Sequence, residues 1–397
     1  MSNRALFILV LVLALLVALV ALRQRSENTA PLAEDSAPIP GELAFPELDV
    51  NAITRVEISS GEEQAAVERG PEGWVVASHY NYPADFNKLA DLLRAFTDLK
   101  VSQVVPDGIG YLDEFGLAEA DDPMRLTLVE TDKSYNLLVG EIKSSSGSSP
   151  MGFSGFGFGR YARIGDGPVL LLDNALNALN ANSESWLDKE LLSVQASSIV
   201  EVRLAGEEQA KDILRMPSSG QYEMENLAED EELDTSAASR LAGALSNLRF
   251  SRIESPKSNN DWTTGDEVRT IEFMDHEGFV YRTVCGPVDT ADSTCLLSLS
   301  VRFEETPAPT RETVMATLIQ QENEQADAYE QRLEQALNQR IEEHTKQMAE
   351  RQERAVDLNG RFAPWTFRIT SWNGEPLRLS RADLVKTIET TPDEEEE

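Results

Sequence analysis

Residues able to do chemistry are sparse in this chain. The three histidines, His79, His276 and His344, lie far apart, and none has the HExxH spacing that sets two imidazoles on one helical face for a metal. His276, in MDHEG, reads as a turn residue between two strands, and His344 as one position on a long helix. Residues 144–164, SSSGSSPMGFSGFGFGRYARI, contain the glycines that a phosphate-cradling loop needs. RYARI reads as a strand, however, so no helix N-terminus follows to offer free N–H groups to an anion, and there is no Lys-Ser/Thr pair. The serines of 144–149 have no neighbouring base, and the chain has no GxSxG. With 69 acidic residues a carboxylate pair for glycoside hydrolysis could be picked anywhere, so picking one means nothing. Asp121-Asp122-Pro123 and the acidic run from Glu229 to Asp234 lack the spacing and the glycine of an EF-hand loop. We therefore expect no enzyme: no catalytic residues, no metal and no cofactor.

Residues suited to contact stand out more than residues suited to catalysis. Met151, Phe153, Phe156 and Phe158 lie in a glycine-spaced loop, and leaving each in water forgoes about 1.5–3 kcal/mol relative to burial. They fold back on their own domain or dock on a partner or membrane surface. Between Arg311 and Leu358 there is neither Gly nor Pro, Pro307 and Pro309 come just before, and Asn359-Gly360 supplies a stop. This spacing predicts one helix over 310–358, about 70 Å long at about 1.5 Å per residue. Ala326, Tyr329, Leu333, Leu337, Ile341, His344 and Met348 form a narrow apolar stripe along it. Three roles are open for that stripe: packing on its own sheet, pairing with a second copy as a coiled coil, or lying in a partner's groove. Tyr329, Leu333, Leu337 and Ile341 are the contact candidates. Cys285 and Cys295, the only cysteines, end one strand-like run and start the next, and in an oxidising compartment they would form a disulfide; the alternative is two unpaired small residues.

The elements that hold these residues begin with an apolar run of 18 residues, Ala5–Leu22, flanked by Arg4, Arg23 and Arg25. At about 27 Å it is long enough for a bilayer core; no cysteine follows to carry a lipid and no A-x-A site ends the run, so an uncleaved signal-anchor over residues 1–25 is expected, the alternative being a removed signal peptide. Residues 26–47 hold Pro31, Pro38, Pro40 and Pro46 and read as a linker, and the body beyond is expected on the periplasmic side of an inner membrane. A net charge of −34 argues against nucleic acid as a partner, and the acidic end, 389–397, reads as a solvated tail.

The body reads as one α+β unit written twice, each an antiparallel sheet with a covering helix, over 48–192 and 193–388. Ile53, Val56 and Ile58 match Ile199, Val202 and Leu204; Trp74 matches Tyr222; Leu92, Phe96 and Leu99 match Leu241, Leu245 and Leu248. RLTLVETDKSYNLLVG (125–140) follows in the first copy and RTIEFMDHEGFVYRTVCG (269–286) in the second. Pairing Arg163-Ile164 with Arg368-Ile369 then makes the Phe-rich loop and the long helix equivalents, leaving one shared edge.

The order IxRVEI, GWVV, YPAD, a leucine-rich helix, EFGL, ADDP, GRYARI with PVLLLD, and SWLDKELLSV leading into IVEVRL resembles the domain-of-unknown-function 4340 family over about residues 48–385. That resemblance implies a membrane-anchored, extracytoplasmic accessory protein of an ABC-type transport system like the one named for gliding motility. The partners implied are the permease or its extracytoplasmic subunits. It brings no catalytic residues. We therefore expect a non-enzymatic scaffold acting through protein contacts; the alternative is a periplasmic ligand- or glycan-binding module with a site between the two repeats.

Overall fold

A computed structural model describes residues 38–143, 159–205, 213–215, 222–224, 227–254, 260–320 and 325–388. The protein is α+β, its strands pair antiparallel, and its chain divides into two units between Asp188 and Lys189.

In the first unit, strands β1 (Arg55–Ser60), β2 (Glu63–Arg69), β3 (Trp74–Val76) and β4 (Tyr82–Pro83) precede helix α1 (Phe86–Thr97). Then come β5 (Val101–Val104), β6 (Met124–Val129), β7 (Ser134–Ile142), β8 (Arg160–Ile164) and β9 (Val169–Leu172). They form one sheet in the order β4-β3-β2-β1-β6-β7-β8-β9-β5. The period-2 pattern of IxRVEI sets its register: Val56 lies opposite Val67 and Leu128, and Ile58 opposite Ala65 and Leu126, all buried. The Asp85 carboxylate caps α1 by accepting from the Lys88 N–H at 3.1 Å, and the helix buries Leu89, Leu92 and Phe96 on one stripe. Trp186 is also buried, its indole N–H donating to the Asn180 carbonyl at 2.8 Å.

The second unit contains β10 (Glu190–Leu192), β11 (Ile199–Ala205), β12 (Ile213–Arg215), β13 (Tyr222–Met224), β14 (Glu231–Leu233) and α2 (Thr235–Ala242). These are followed by β15 (Leu248–Arg249), β16 (Arg252–Ile253), β17 (Arg269–Asp275), β18 (Phe279–Asp289) and β19 (Thr294–Phe303). The chain ends in α3 (Arg311–Met315), α4 (Ala326–Phe362), β20 (Phe367–Thr370), α5 (Ser371–Gly374), α6 (Arg381–Leu384) and β21 (Val385–Thr387). The main sheet runs β13-β12-β11-β17-β18-β19-β20-β16, while β10 pairs with β15 and β14 with β21. Asp234 caps α2 through the Ser236 and Ala237 N–H groups. In sheet order β11, β17, β18, β19 and β20 occupy the places that β1, β6, β7, β8 and β9 hold in the first unit.

Two expectations change. The helix over 310–358 is two helices: α3 ends at Met315, and α4 starts at Ala326 and runs on to Phe362. No Gly or Pro breaks it. The β-branched Thr313, Val314, Thr317 and Ile319 weaken helix there, and the Thr317 hydroxyl turns onto the Val314 carbonyl at 3.0 Å. The shared edge of loop and helix also fails. Residues 144–158 lie between β7 and β8, whereas α4 lies between β19 and β20, which in sheet order stand where β8 and β9 do. Arg163-Ile164 ends β8, but Arg368-Ile369 lies in β20, so pairing the two RI dipeptides skipped β19.

Candidate interaction site on the long helix

With 37 residues, α4 spans about 55 Å, and its two halves have different surroundings. β20 pairs with β19 only from Thr294 to Leu297, which leaves the rest of that strand edge without a strand partner. The C-terminal half of α4 takes the place of that partner. The Asn359 side-chain oxygen accepts from the Val301 N–H at 3.1 Å, the Arg354 guanidinium lies 5.3 Å over the Phe279 ring, and Arg351 donates to the Glu277 carbonyl at 3.2 Å. Met348, Ala355 and Phe362 are buried on this half.

Past the end of β19 the segment Glu304–Thr310 runs beside the helix: the Thr306 hydroxyl lies 3.2 Å from His344 Nε2 and 3.6 Å from Met348 Sδ. Thr310 then caps α3 in a reciprocal box with Thr313, and α3 folds onto the first two turns of α4. Arg311 pairs with Glu330, while Val314 on α3 and Leu333 on α4 are buried. The Tyr329 hydroxyl donates to the Leu318 carbonyl at 3.2 Å, and Arg332 donates to the Ile319 carbonyl at 3.0 Å while stacking 5.6 Å over the Tyr329 ring. The backbone of 318–319 is thus fastened to the helix from beneath. Ile319 on this backbone is 84 % exposed, and Met315 at the end of α3 is 46 % exposed.

The predicted contact residues divide accordingly. Leu333, 1 % exposed, belongs to the core of the α3–α4 pair, so it is not a surface contact. Tyr329 is half-buried and spends its hydroxyl on its own chain, Leu337 is half-buried, and Ile341 is exposed at 38 %. Met151, Phe153, Phe156 and Phe158 lie outside the described residues. Sequence reasoning missed Met315 and Ile319, although TVMATLIQQ is denser in apolar residues than the rod that follows it.

Each of the histidines His79 and His276 keeps to its own neighbourhood. His79 lies 3.5 Å from the Ser183 hydroxyl, and His276 lies 3.4 Å from the Ser198 carbonyl. Among the described residues no group of three or more His, Cys, Asp and Glu is placed to hold a metal ion. Glu201, Arg203, Glu272, Arg282, Arg302 and Glu304 alternate in charge across β11, β17, β18 and the end of β19, each ion-paired with a neighbour. Cys285 and Cys295 are brought together, both buried, as free thiols; the bond expected between them is not formed here. Among the described residues no helix is long and apolar enough to cross a membrane, and Ala5–Leu22 lies outside them.

Residues 74–265 match the family model described as a domain of unknown function, DUF4340. The DUF4340 stretch opens at β3 and closes just before β17, so it takes in parts of both units and is shorter than the span of the motifs. The α3–α4 arm lies outside it. No curated protein and no solved structure matches the chain.

Proposed function

We propose that this protein is a non-enzymatic, membrane-anchored accessory or scaffold protein of an ABC-type transport system. It works on the periplasmic side of the inner membrane, anchored by residues 5–22, and carries two copies of one α+β unit. The matching strand orders of the two sheets support the duplication, and the comparison with such accessory proteins comes from the resemblance in the sequence motifs, part of which the DUF4340 match covers. The reading rests on one observation: Ile319, 84 % exposed, sits on backbone whose carbonyls Tyr329 and Arg332 hold in place. A fixed apolar knob loses little conformational freedom on docking, so most of its burial energy is available to a partner. The partner is the permease or an extracytoplasmic subunit, and the α4 surface around Ile341 extends the contact.

The test is co-purification from membranes after crosslinking, with the attached chains identified by mass. Ile319→Asp removes about 1.5–3 kcal/mol of apolar burial, so partner affinity falls at least about tenfold while the melting temperature stays within a degree or two of wild type. Undiminished capture of transporter chains by the Ile319→Asp and Met315→Ser double variant would sink the proposal.

A further inference from the structure

Cys285 on β18 and Cys295 on β19 are 0 % and 1 % exposed, with their sulfurs 3.4 Å apart. The strands pair Cys285 with Leu297 and Val288 with Cys295 across a register shift, so the cysteines lie diagonally on one face of the sheet. α5 closes over them: a Cβ on Gly374 would meet the Cys295 sulfur at 2.3 Å and the Ile369 side chain at 3.5 Å. No bulkier residue fits there, and the two sulfurs share one sealed space. Closing the gap to a bond of about 2.05 Å asks for roughly 1.4 Å of sulfur movement, within reach of side-chain rotation while the strands stay paired.

The two sulfurs are not equivalent. The thiol of Cys285 is hydrogen-bonded to Cys295, which pushes the Cys285 thiol up and holds the Cys295 thiol below its ordinary value. Arg378 and Arg368 also favour the Cys295 thiolate. If burial as small apolar residues were their whole role, neither sulfur would need the other as a neighbour.

We infer that Cys285 and Cys295 form a dithiol site that closes to an internal disulfide by exchange with a disulfide-bearing oxidant. The Cys295 thiolate attacks one sulfur of the donor RSSR, whose S–S bond breaks and releases RS⁻, leaving a mixed disulfide on Cys295. Cys285 then gives up its proton and attacks the Cys295 sulfur, expelling the second RS⁻. Two electrons pass from the two cysteines to the donor, which leaves as two thiols carrying the two protons. The product ties β18 to β19 where β20 joins the sheet, since Cys295 faces Ile369 there. Because α5 covers both sulfurs, exchange in either direction requires it to lift away from them.

The full chain in mild detergent, fully reduced, is equilibrated with oxidised and reduced glutathione, quenched in acid, unfolded, alkylated and digested. We expect the peptides carrying Cys285 and Cys295 to be joined and unalkylated, and the melting temperature to rise by about 5–10 °C. The rise is absent in the Cys285→Ala, Cys295→Ala double variant. Two alkylated cysteines, a stable glutathione adduct on either one, or bonds between chains would overturn the inference, and the mass result on the unaltered chain decides this whether or not the double variant folds.

Discussion

Asp275 organises the turn between β17 and β18 with a single buried carboxylate. It accepts from the Glu277 N–H at 2.9 Å, the Phe279 N–H at 3.0 Å and the Tyr281 hydroxyl at 3.1 Å. Gly278 completes the turn at φ +94, where a Cβ would also strike the Glu304 carbonyl at 2.4 Å, so only glycine serves. Burial, followed by the charge of Asp275, pushes the Tyr281 phenol well above its ordinary range. A raised folded-state value means the stabilisation is fully present below about pH 10, where the unfolded phenol titrates, and is lost as pH rises beyond it. Melting curves from pH 8 to 11 therefore fall more steeply for wild type than for Tyr281→Phe, which itself is destabilised by about 1–2 kcal/mol at pH 8. Parallel curves would show that the phenol is not coupled to folding. Little of this was legible beforehand: MDHEG gave the turn and the right place for His276, but three donors converging on one oxygen pair is a property of the folded turn.

At the scale of elements, period and punctuation were good guides where a segment answers to one neighbour. IVEVRL, RTIEFMD and the leucines of α1 each face one core, and all lie where their alternation or helical spacing places them. Between Thr310 and Ala326 the guide failed because two surfaces compete. Continuing the helix would satisfy backbone groups locally, whereas breaking it lets Val314 reach a buried position beside α4. TCLLSLSVRF was legible as a strand by its alternating Leu297, Leu299 and Val301, yet attention to the matching RI dipeptides passed over it. The root of α4 is testable through the side-chain bond from Asn359 to the strand edge. Asn359→Ala leaves the Val301 N–H without that acceptor, which costs about 1–2 kcal/mol and speeds hydrogen exchange at Val301 well before neighbouring amides. Unchanged exchange at Val301 would mean that the helix does not guard the edge.

For the whole molecule, charge is the dominant long-range term. A net charge of −34 works against a compact state, and most of the ion pairs are partly exposed and worth at most about 1 kcal/mol each. Raising NaCl from about 10 mM to about 150 mM shortens the screening length from about 30 Å to about 8 Å, which relieves repulsion between distant carboxylates more than it weakens pairs in contact. The melting temperature at pH 7 accordingly rises over that range; a fall would show that the Glu201–Arg203–Glu272–Arg302 ladder outweighs the excess. The composition that makes this legible says nothing about which surface meets a partner. The surface proposed for a partner is the arm, where one isoleucine is exposed and a leucine fourteen positions on is buried.

The way α4 lies along β19 also bears on how the arm should be dissected. Cutting out the whole helix would strip the cover from a run of strand whose amide and carbonyl groups would then be free to zip onto the same run in a neighbouring molecule. The resulting insolubility would masquerade as loss of a partner. Shortening only the outer turns, with Met348 to Phe362 left in place, keeps the sheet sealed and leaves the question of recognition to be answered alone.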